Sequence, residues 1–394
     1  MRETFARLGV LTLAVVLGFT VVELVARLWL LHVANPDQFQ AYASIRQIEA
    51  RPMEGRKLVP HRHLGFVTAP GYHHGRNVHN RQGYRGGEIA LPKPTGTYRI
   101  VCLGGSTTYS SAVEDPADAY PAQLEAVLRA AGHDRVEVVN AGVPGYGTLE
   151  TLIRFELQIL DLEPDLLVVS HAVNDIHARL VWPPEAFRAD NSGSTGPVGL
   201  APMPRLAEHS TALRSILVRL GWATPHGSLE RAFGRTPETH YTRRLHTQVA
   251  QGVYPQGPFE AIPIARMLKR NPPVYFERNL RSLVTLAGAH GIEVVLTTFP
   301  FHAEWAGRSP MAIPEYREAI GELNGRVLQI AESSAAEGFD LASHLPQEAA
   351  LYVDGYHFTK EGNALRGQIL GAWIGARLQA RQQQQIGAVG GSVR

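Results

Sequence analysis

The chain has 394 residues, 44% of them apolar and 19% charged, with a formal net charge of +2 at pH 7. That balance excludes a disordered chain, and near-neutrality argues against broad binding to nucleic acid. Cys102 is the single cysteine, which excludes an internal disulfide and a Cys-based metal site.

Residues 8–22 are apolar throughout; Glu23 and Arg27 interrupt, and Leu28-Trp29-Leu30-Leu31 resumes the run. As a helix, residues 8–33 span about 39 Å at roughly 1.5 Å per residue, enough to cross a bilayer core of about 30 Å. Glu23 and Arg27, four positions apart, pair on one face near the interface, where Trp29 also fits. Arg2 and Arg7 precede the run and stay cytoplasmic, so residues 1–34 are expected to be a single-pass membrane anchor with the rest periplasmic or at the cell surface. A cleaved signal peptide is the alternative, but no clear small-x-small site follows. Residues 35–95 hold many arginines and five histidines, His61, His63, His73, His74 and His79. Their spacings fit no named zinc pattern, and the segment reads as a solvated, basic juxtamembrane stretch suited to anionic lipid or polysaccharide.

The catalytic domain is expected over 96–380. Arg99-Ile100-Val101-Cys102-Leu103 reads as a first strand, with Cys102 as a small core residue. It runs into Gly104-Gly105-Ser106-Thr107-Thr108, a tight turn that leaves a serine at the C-terminal edge of a sheet. Residues 115–132 form a helix with Leu124, Val127 and Leu128 on one face, and 135–140 a second strand. After the glycine-rich turn 141–147, Thr148 caps a helix whose core face is Leu149, Leu152, Ile153, Leu157 and Leu160. Residues 165–170 form a third strand, buried on both faces. An insertion at about 181–272 breaks the rhythm and reads either as a lid or substrate-binding cap over one end of the sheet or as a loosely ordered surface excursion. The alternation resumes with a helix over 274–291, a strand over 292–299, a helix over 314–338 and a short strand over 339–342. A last helix follows, with Leu365, Ile369, Trp373 and Ala376 buried. The tail, 381–394, is polar and Gly-rich and is expected to be disordered.

Strand–helix alternation means an α/β fold with a parallel sheet and right-handed crossovers. The turns at the strand ends meet on one rim, which brings Ser106, Gly145, Asn174, Asp354 and His357 to one cleft. A serine hydroxyl needs a base, His357 titrates in the right range, and Asp354, three residues earlier, can hold the ring in one tautomer. The backbone N–H groups of Ser106 and Gly145 and the Asn174 amide are candidate donors to an oxyanion. His171 and His302, at strand ends, are candidate substrate contacts. Asp175 is expected to steady its turn. Ser194 nearly forms a nucleophile elbow, but Ser192 stands where glycine is needed.

These blocks resemble the SGNH hydrolases, serine esterases and lipases of the GDSL type. The nucleophile block is Gly104-Gly105-Ser106-Thr107-Thr108, with Gly105 where the family usually has Asp. The second block is Asn140-Ala141-Gly142-Val143-Pro144-Gly145, the third Ala172-Val173-Asn174-Asp175, with Ala172 replacing Gly, and the last Asp354-Gly355-Tyr356-His357. The Gly-Gly-Ser-Thr form with an anchor resembles a membrane-bound bacterial branch. The resemblance implies a three-layer α/β/α, flavodoxin-like fold with a five-stranded parallel sheet in the order 2-1-3-4-5. It also implies a catalytic set of Ser106, Asp354 and His357 and an oxyanion hole of Ser106, Gly145 and Asn174. No metal or organic cofactor is required.

The expected activity is hydrolysis of a carboxylic ester on an acylated small molecule, lipid or glycan through an acyl-serine intermediate. An O-acyltransferase acting on cell-surface glycans would use the same machinery. A non-catalytic glycan-binding module is the third possibility, opposed by the complete set of catalytic residue types.

Overall fold

The structure is a computed structural model that describes residues 2–50, 55–191, 203–226, 253–256, 260–307 and 309–391. Ser194 lies outside the described residues. The chain divides into two compact units.

The first unit comprises Met1–Glu54, Leu58–Val67 and Gly196–Tyr241. Helix α1 (Arg2–His32) opens it. Over Glu3–His32 this helix is long and apolar enough to cross a membrane, with a mean hydropathy of 2.4 in its most apolar window. Most of its large apolar side chains, from Phe5 to Val25, are exposed, which fits a span that has lipid for a solvent. At its C-terminal end Leu30 packs with Phe39, Ala43 and Ile48 in a small core.

The second unit comprises Gly55–Lys57, Thr68–Thr195 and Thr242–Arg394. Five strands build its sheet: β1 (Tyr98–Gly104), β2 (Val136–Asn140), β3 (Leu166–Ser170), β4 (Glu293–Thr297) and β5 (Glu337–Phe339). All pair in parallel, in the order β2-β1-β3-β4-β5. This is the order that the family resemblance implies. Successive side chains on a strand point to opposite faces, and both faces are apolar. Ile100, Cys102, Leu166, Val168 and Val295 pack towards α2 (Tyr120–Ala130) and the last helix. Val101, Leu103, Leu167, Val169, Val294 and Leu296 join the opposite core. That second layer is made by α3 (Thr148–Arg154), α4 (Val173–Arg179), α5 (Val274–Ala289) and α6 (Pro314–Glu332). The last helix is α7 (Lys360–Gly391). The three-layer α/β/α reading therefore holds.

Several expectations change. After α3 the chain continues as a π-helix over Phe155–Ile159 and a 3-10 turn over Leu160–Leu162. The π turn inserts a residue and rotates the face, so Phe155 and Ile159 are buried while Leu157 is exposed. On α7 the buried stripe is Asn363, Arg366, Leu370, Ile374 and Leu378, while Ala376 is exposed. The reason is close approach: a Cβ at Gly371 would stand 2.5 Å from the Val127 side chain of α2. The helix also runs through most of the tail expected to be disordered, to Gly391; Gln, Ala and Arg are good helix formers. The long helix expected to Gly338 ends at Glu332, because Glu337–Phe339 pairs with β4.

Residues 35–95 are not a purely solvated stretch. From Thr68 onward they belong to the larger unit, where His79 and Arg85 are each only 5% exposed. The insertion divides as well: its residues 203–226 belong to the first unit, with the N-terminal helix.

Candidate active site

β1 ends at Gly104, and one helical turn, Ser106–Tyr109, begins at once. The Ser106 side chain is therefore delivered at the sheet's C-terminal rim, on the first residue of a turn whose leading N–H groups lack intrahelical partners. Across the rim, residues 352–358 fold into a small loop in which Tyr352 bridges Phe358 and Val353 N–H donates to His357 O. Inside the loop Asp354 Oδ1 accepts from the His357 N–H at 2.9 Å and the Tyr356 N–H at 3.3 Å. Its Oδ2 accepts from the His357 ring at Nδ1, at 2.7 Å. The carboxylate and the imidazole are thus one rigid unit. His357 Nε2 lies 2.7 Å from Ser106 Oγ, although the two residues are 251 positions apart.

With Nδ1 bonded to a carboxylate, His357 carries its proton there and presents Nε2 as an acceptor to the serine hydroxyl. Burial raises the proton affinity of Asp354, but the hydrogen bonds and charge of His357 outweigh it and hold the carboxyl below its ordinary range. It stays ionised at neutral pH. Tyr356 packs against His357, with ring centroids 4.2 Å apart, and lines the cleft with Phe299, Val173 and Asn174.

Asn174 opens α4, and its Nδ2 donates to Tyr146 O at 2.8 Å. A primary amide has two N–H bonds, so a second remains to aim. Gly105 makes room for it: a Cβ there would lie 2.6 Å from Asn174 Nδ2 and 3.1 Å from Tyr146 O. Gly145 stands exposed beside this group, in the left-handed region with φ +92°.

The two further histidines separate. His171 lines the cleft but is 4% exposed, with Nε2 2.8 Å from Thr151 Oγ1. Burial pushes its pKa down to about 3, so it is neutral in any working range. His302 lies behind the loop 352–358: its N–H donates to Gly355 O at 2.7 Å, and its ring packs on Trp305 and Tyr352. It buttresses that loop. The Cys102 thiol, fully buried, is pushed up to about 12 by burial and offers no competing nucleophile.

Asp175 accepts from Thr148, at 3.0 Å from the N–H and 2.6 Å from Oγ1, and so anchors the glycine-rich turn to α4. Burial, helped by the charge of Glu150 and opposed by the bonds from Thr148, pushes this carboxyl up to about 7. Its unfolded counterpart titrates near 3.8. Between those values the folded state binds the extra proton, so this contribution is complete at low pH and is lost as pH rises through 7. Asp175→Asn cannot ionise and keeps the acceptor oxygen. Its stability relative to wild type should therefore rise between pH 4 and pH 8, by an amount on the order of 4 kcal/mol. Urea unfolding at the two pH values measures this; a pH-independent difference would show that Asp175 is ionised throughout.

Two residues that hold the turn carrying Ser106 are missing from the sequence-based candidates. The Arg85 guanidinium donates to Tyr109 O and to Ser110 O at 2.7 Å, Val113 O at 2.6 Å and Glu114 O at 2.9 Å, fastening the chain just after the serine. Arg366, buried on α7, donates to Thr107 O at 3.2 Å and to Ser170 Oγ at 3.1 Å, tying the serine's turn to the end of β3. An arginine inside an apolar helix face was the one available hint for Arg366.

Residues 102–365 match the GDSL-like lipase/acylhydrolase family. The chain belongs to this family. As a GDSL-like acylhydrolase it is an ester-hydrolysing enzyme. Similar solved structures include a GDSL-like lipase from Bacteroides thetaiotaomicron, at 16% identity and a TM-score of 0.38, over 72% of this chain and 91% of that one. Another is an acetyl xylan esterase, at 15% identity and a TM-score of 0.38, over 70% and 98%. A variant of an acetyl xylan esterase from Geobacillus stearothermophilus matches at 16% and 0.39, over 68% and 91%. No curated protein matches the chain.

Proposed function

We propose that this GDSL-like acylhydrolase cleaves carboxylic esters through an acyl-Ser106 intermediate, on an acylated substrate outside the cytoplasmic membrane. The observation that carries the reading is the unbroken relay from Ser106 Oγ through the His357 ring to Asp354, with both links at 2.7 Å. Ser106 Oγ attacks the ester carbonyl carbon while His357 Nε2 takes the hydroxyl proton. Asp354 stabilises the resulting imidazolium. The carbonyl oxygen becomes an anion held by the N–H groups of Ser106 and Gly145 and the free amide hydrogen of Asn174. The intermediate collapses, the C–O bond to the alcohol breaks, and His357 returns the proton to the departing oxygen. Water then attacks the acyl carbon, again losing its proton to His357, and releases the carboxylic acid and free Ser106.

The extracytoplasmic site rests on α1, whose apolar run follows Arg2 and Arg7. Residues 1–34 then act as the anchor, and the hydrolase unit is wider than the 96–380 expected from the sequence, since it takes in the chain from Thr68 onward. Incubation with a fluorophosphonate tests the chemistry directly. A single adduct is expected on the peptide containing Ser106, absent from Ser106→Ala; equal labelling of that variant would remove Ser106 from its role.

A further inference from the structure

Residues 203–226 carry an inverted pattern of polarity. Two short helices, Arg205–His209 and Thr211–Arg219, stand in the same unit as α1. The side that the second helix buries holds Thr211, Ala212 and Arg214. Arg214 is 1% exposed and donates to Tyr42 O, to Ala207 O at 2.9 Å and to Gln47 Oε1 at 3.1 Å. The outward side is apolar: Leu206 is 76% exposed, Ile216 49%, Leu220 55% and Trp222 76%. A helix in water buries such side chains and exposes its arginine. This segment encloses Arg214 and leaves those four apolar side chains outside, beside the exposed Arg205 and Arg219.

The attachment point says what covers that face. Glu23 stands one residue beyond the apolar run 8–22. Its carboxylate accepts from Thr211 N–H at 3.0 Å, Ala212 N–H at 3.0 Å and Ser210 Oγ at 2.8 Å, so it caps the helix Thr211–Arg219. Arg27 pairs with Glu23 at 2.6 Å and donates to His209 O at 3.0 Å. An acidic group at the edge of hydrocarbon needs this full set of donors. The same bonds pin the start of the helix at the level where the membrane-crossing run ends. Arg205 and Arg219 are exposed and suit anionic headgroups. Tryptophan is enriched at that level.

We infer that Leu206, Ile216, Leu220 and Trp222 seat residues 203–226 in the headgroup–acyl boundary of the bilayer that α1 enters. The partner is the lipid surface, and the segment is a collar around the anchor. This rests on reading α1 as a membrane span. It replaces the expectation of a substrate lid for this part of the insertion.

The test uses the full chain in phosphatidylcholine–phosphatidylglycerol liposomes. Cys102 is fully buried and stays unlabelled, so Val15→Cys and Trp222→Cys can each carry one environment-sensitive fluorophore. Lipids bearing a nitroxide deep in the acyl chain or near the headgroup then report depth. The label at 15 should be quenched by the deep nitroxide, and the label at 222 should lose roughly half its emission or more to the shallow one. Quenching at 15 without quenching at 222 overturns the collar and leaves the anchor standing. If the label at 222 is then shielded only as protein concentration rises, a second copy of the chain covers the face instead of lipid. Quenching at neither position overturns the anchor and the collar together.

Discussion

Ser106→Ala should lower kcat/KM on a short-chain aryl ester by about 10⁴-fold or more, with the fold intact. Ser106 Oγ makes its hydrogen bond to His357 Nε2, while Asp354 holds the ring from the other side independently. Removing the hydroxyl therefore deletes the nucleophile and leaves its surroundings in place. His357→Ala should cost a comparable factor, because a serine at its ordinary proton affinity is a poor nucleophile. The two residues act as one device, so Ser106→Ala/His357→Ala should be no slower than either single variant. A double variant whose loss equals the product of the single losses would mean that the two groups serve separate steps. Full activity in Ser106→Ala would assign the chemistry elsewhere.

Gly105→Asp should lower kcat by about 10²- to 10³-fold with little change in KM, the size of losing one oxyanion donor. This substitution restores the residue that the family usually carries before the serine, yet here it is expected to harm. The crowding is local. Any Cβ at 105 meets Asn174 Nδ2 at 2.6 Å, and Tyr146 O stands at 3.1 Å on the same side. Gly105 has φ −86°, outside the left-handed region that favours glycine, and the obstacle is the neighbouring amide. Gly105→Ala should show most of the same loss, and Asn174→Ala added to Gly105→Asp should add little. Wild-type kcat in Gly105→Asp would show that the amide can step aside and that its present position is not required in the transition state.

The two variants draw on different layers of information. Ser106, Asp354 and His357 stood out in the sequence because each lies where an apolar run or a turn meets a new helix, and because their side chains have few other uses in combination. The layers of the fold were legible for a similar reason. Runs such as 166–169, Leu-Leu-Val-Val, are apolar at every position, which a strand covered on both faces requires. Gly105 carried no such mark, since its reason is an amide 69 positions away.

The misreadings share one cause. Arg85 and His79 looked like solvated charge, yet Arg85 is solvated instead by hydrogen bonds to four backbone carbonyls from the loop after the serine. Backbone acceptors exist at every residue, so no pattern of letters announces them. On α7, Leu365, Ile369 and Trp373 do pack, half-buried, against the core, but Ala376 is exposed and the close approach to α2 falls at Gly371, which a hydropathy count does not mark. His302 stands at a strand end as expected, and its contacts there, from the backbone N–H to Gly355 O and from the ring to Trp305 and Tyr352, could not be read from the sequence. Glu23 was matched to Arg27 correctly, while its three bonds to residues 210–212 were invisible.

What the sequence determined by itself was the order of elements, the apolar N-terminal run, the sheet's double covering and the residue types brought to its rim. Those follow from local periodicity and from chemistry that few side chains can perform. Only the tertiary structure decided which carbonyls take the buried guanidiniums, which side of α7 meets α2, and which part of the insertion joins the N-terminal helix. Each of those is a contact between distant segments, and its free energy depends on distances that no single segment encodes.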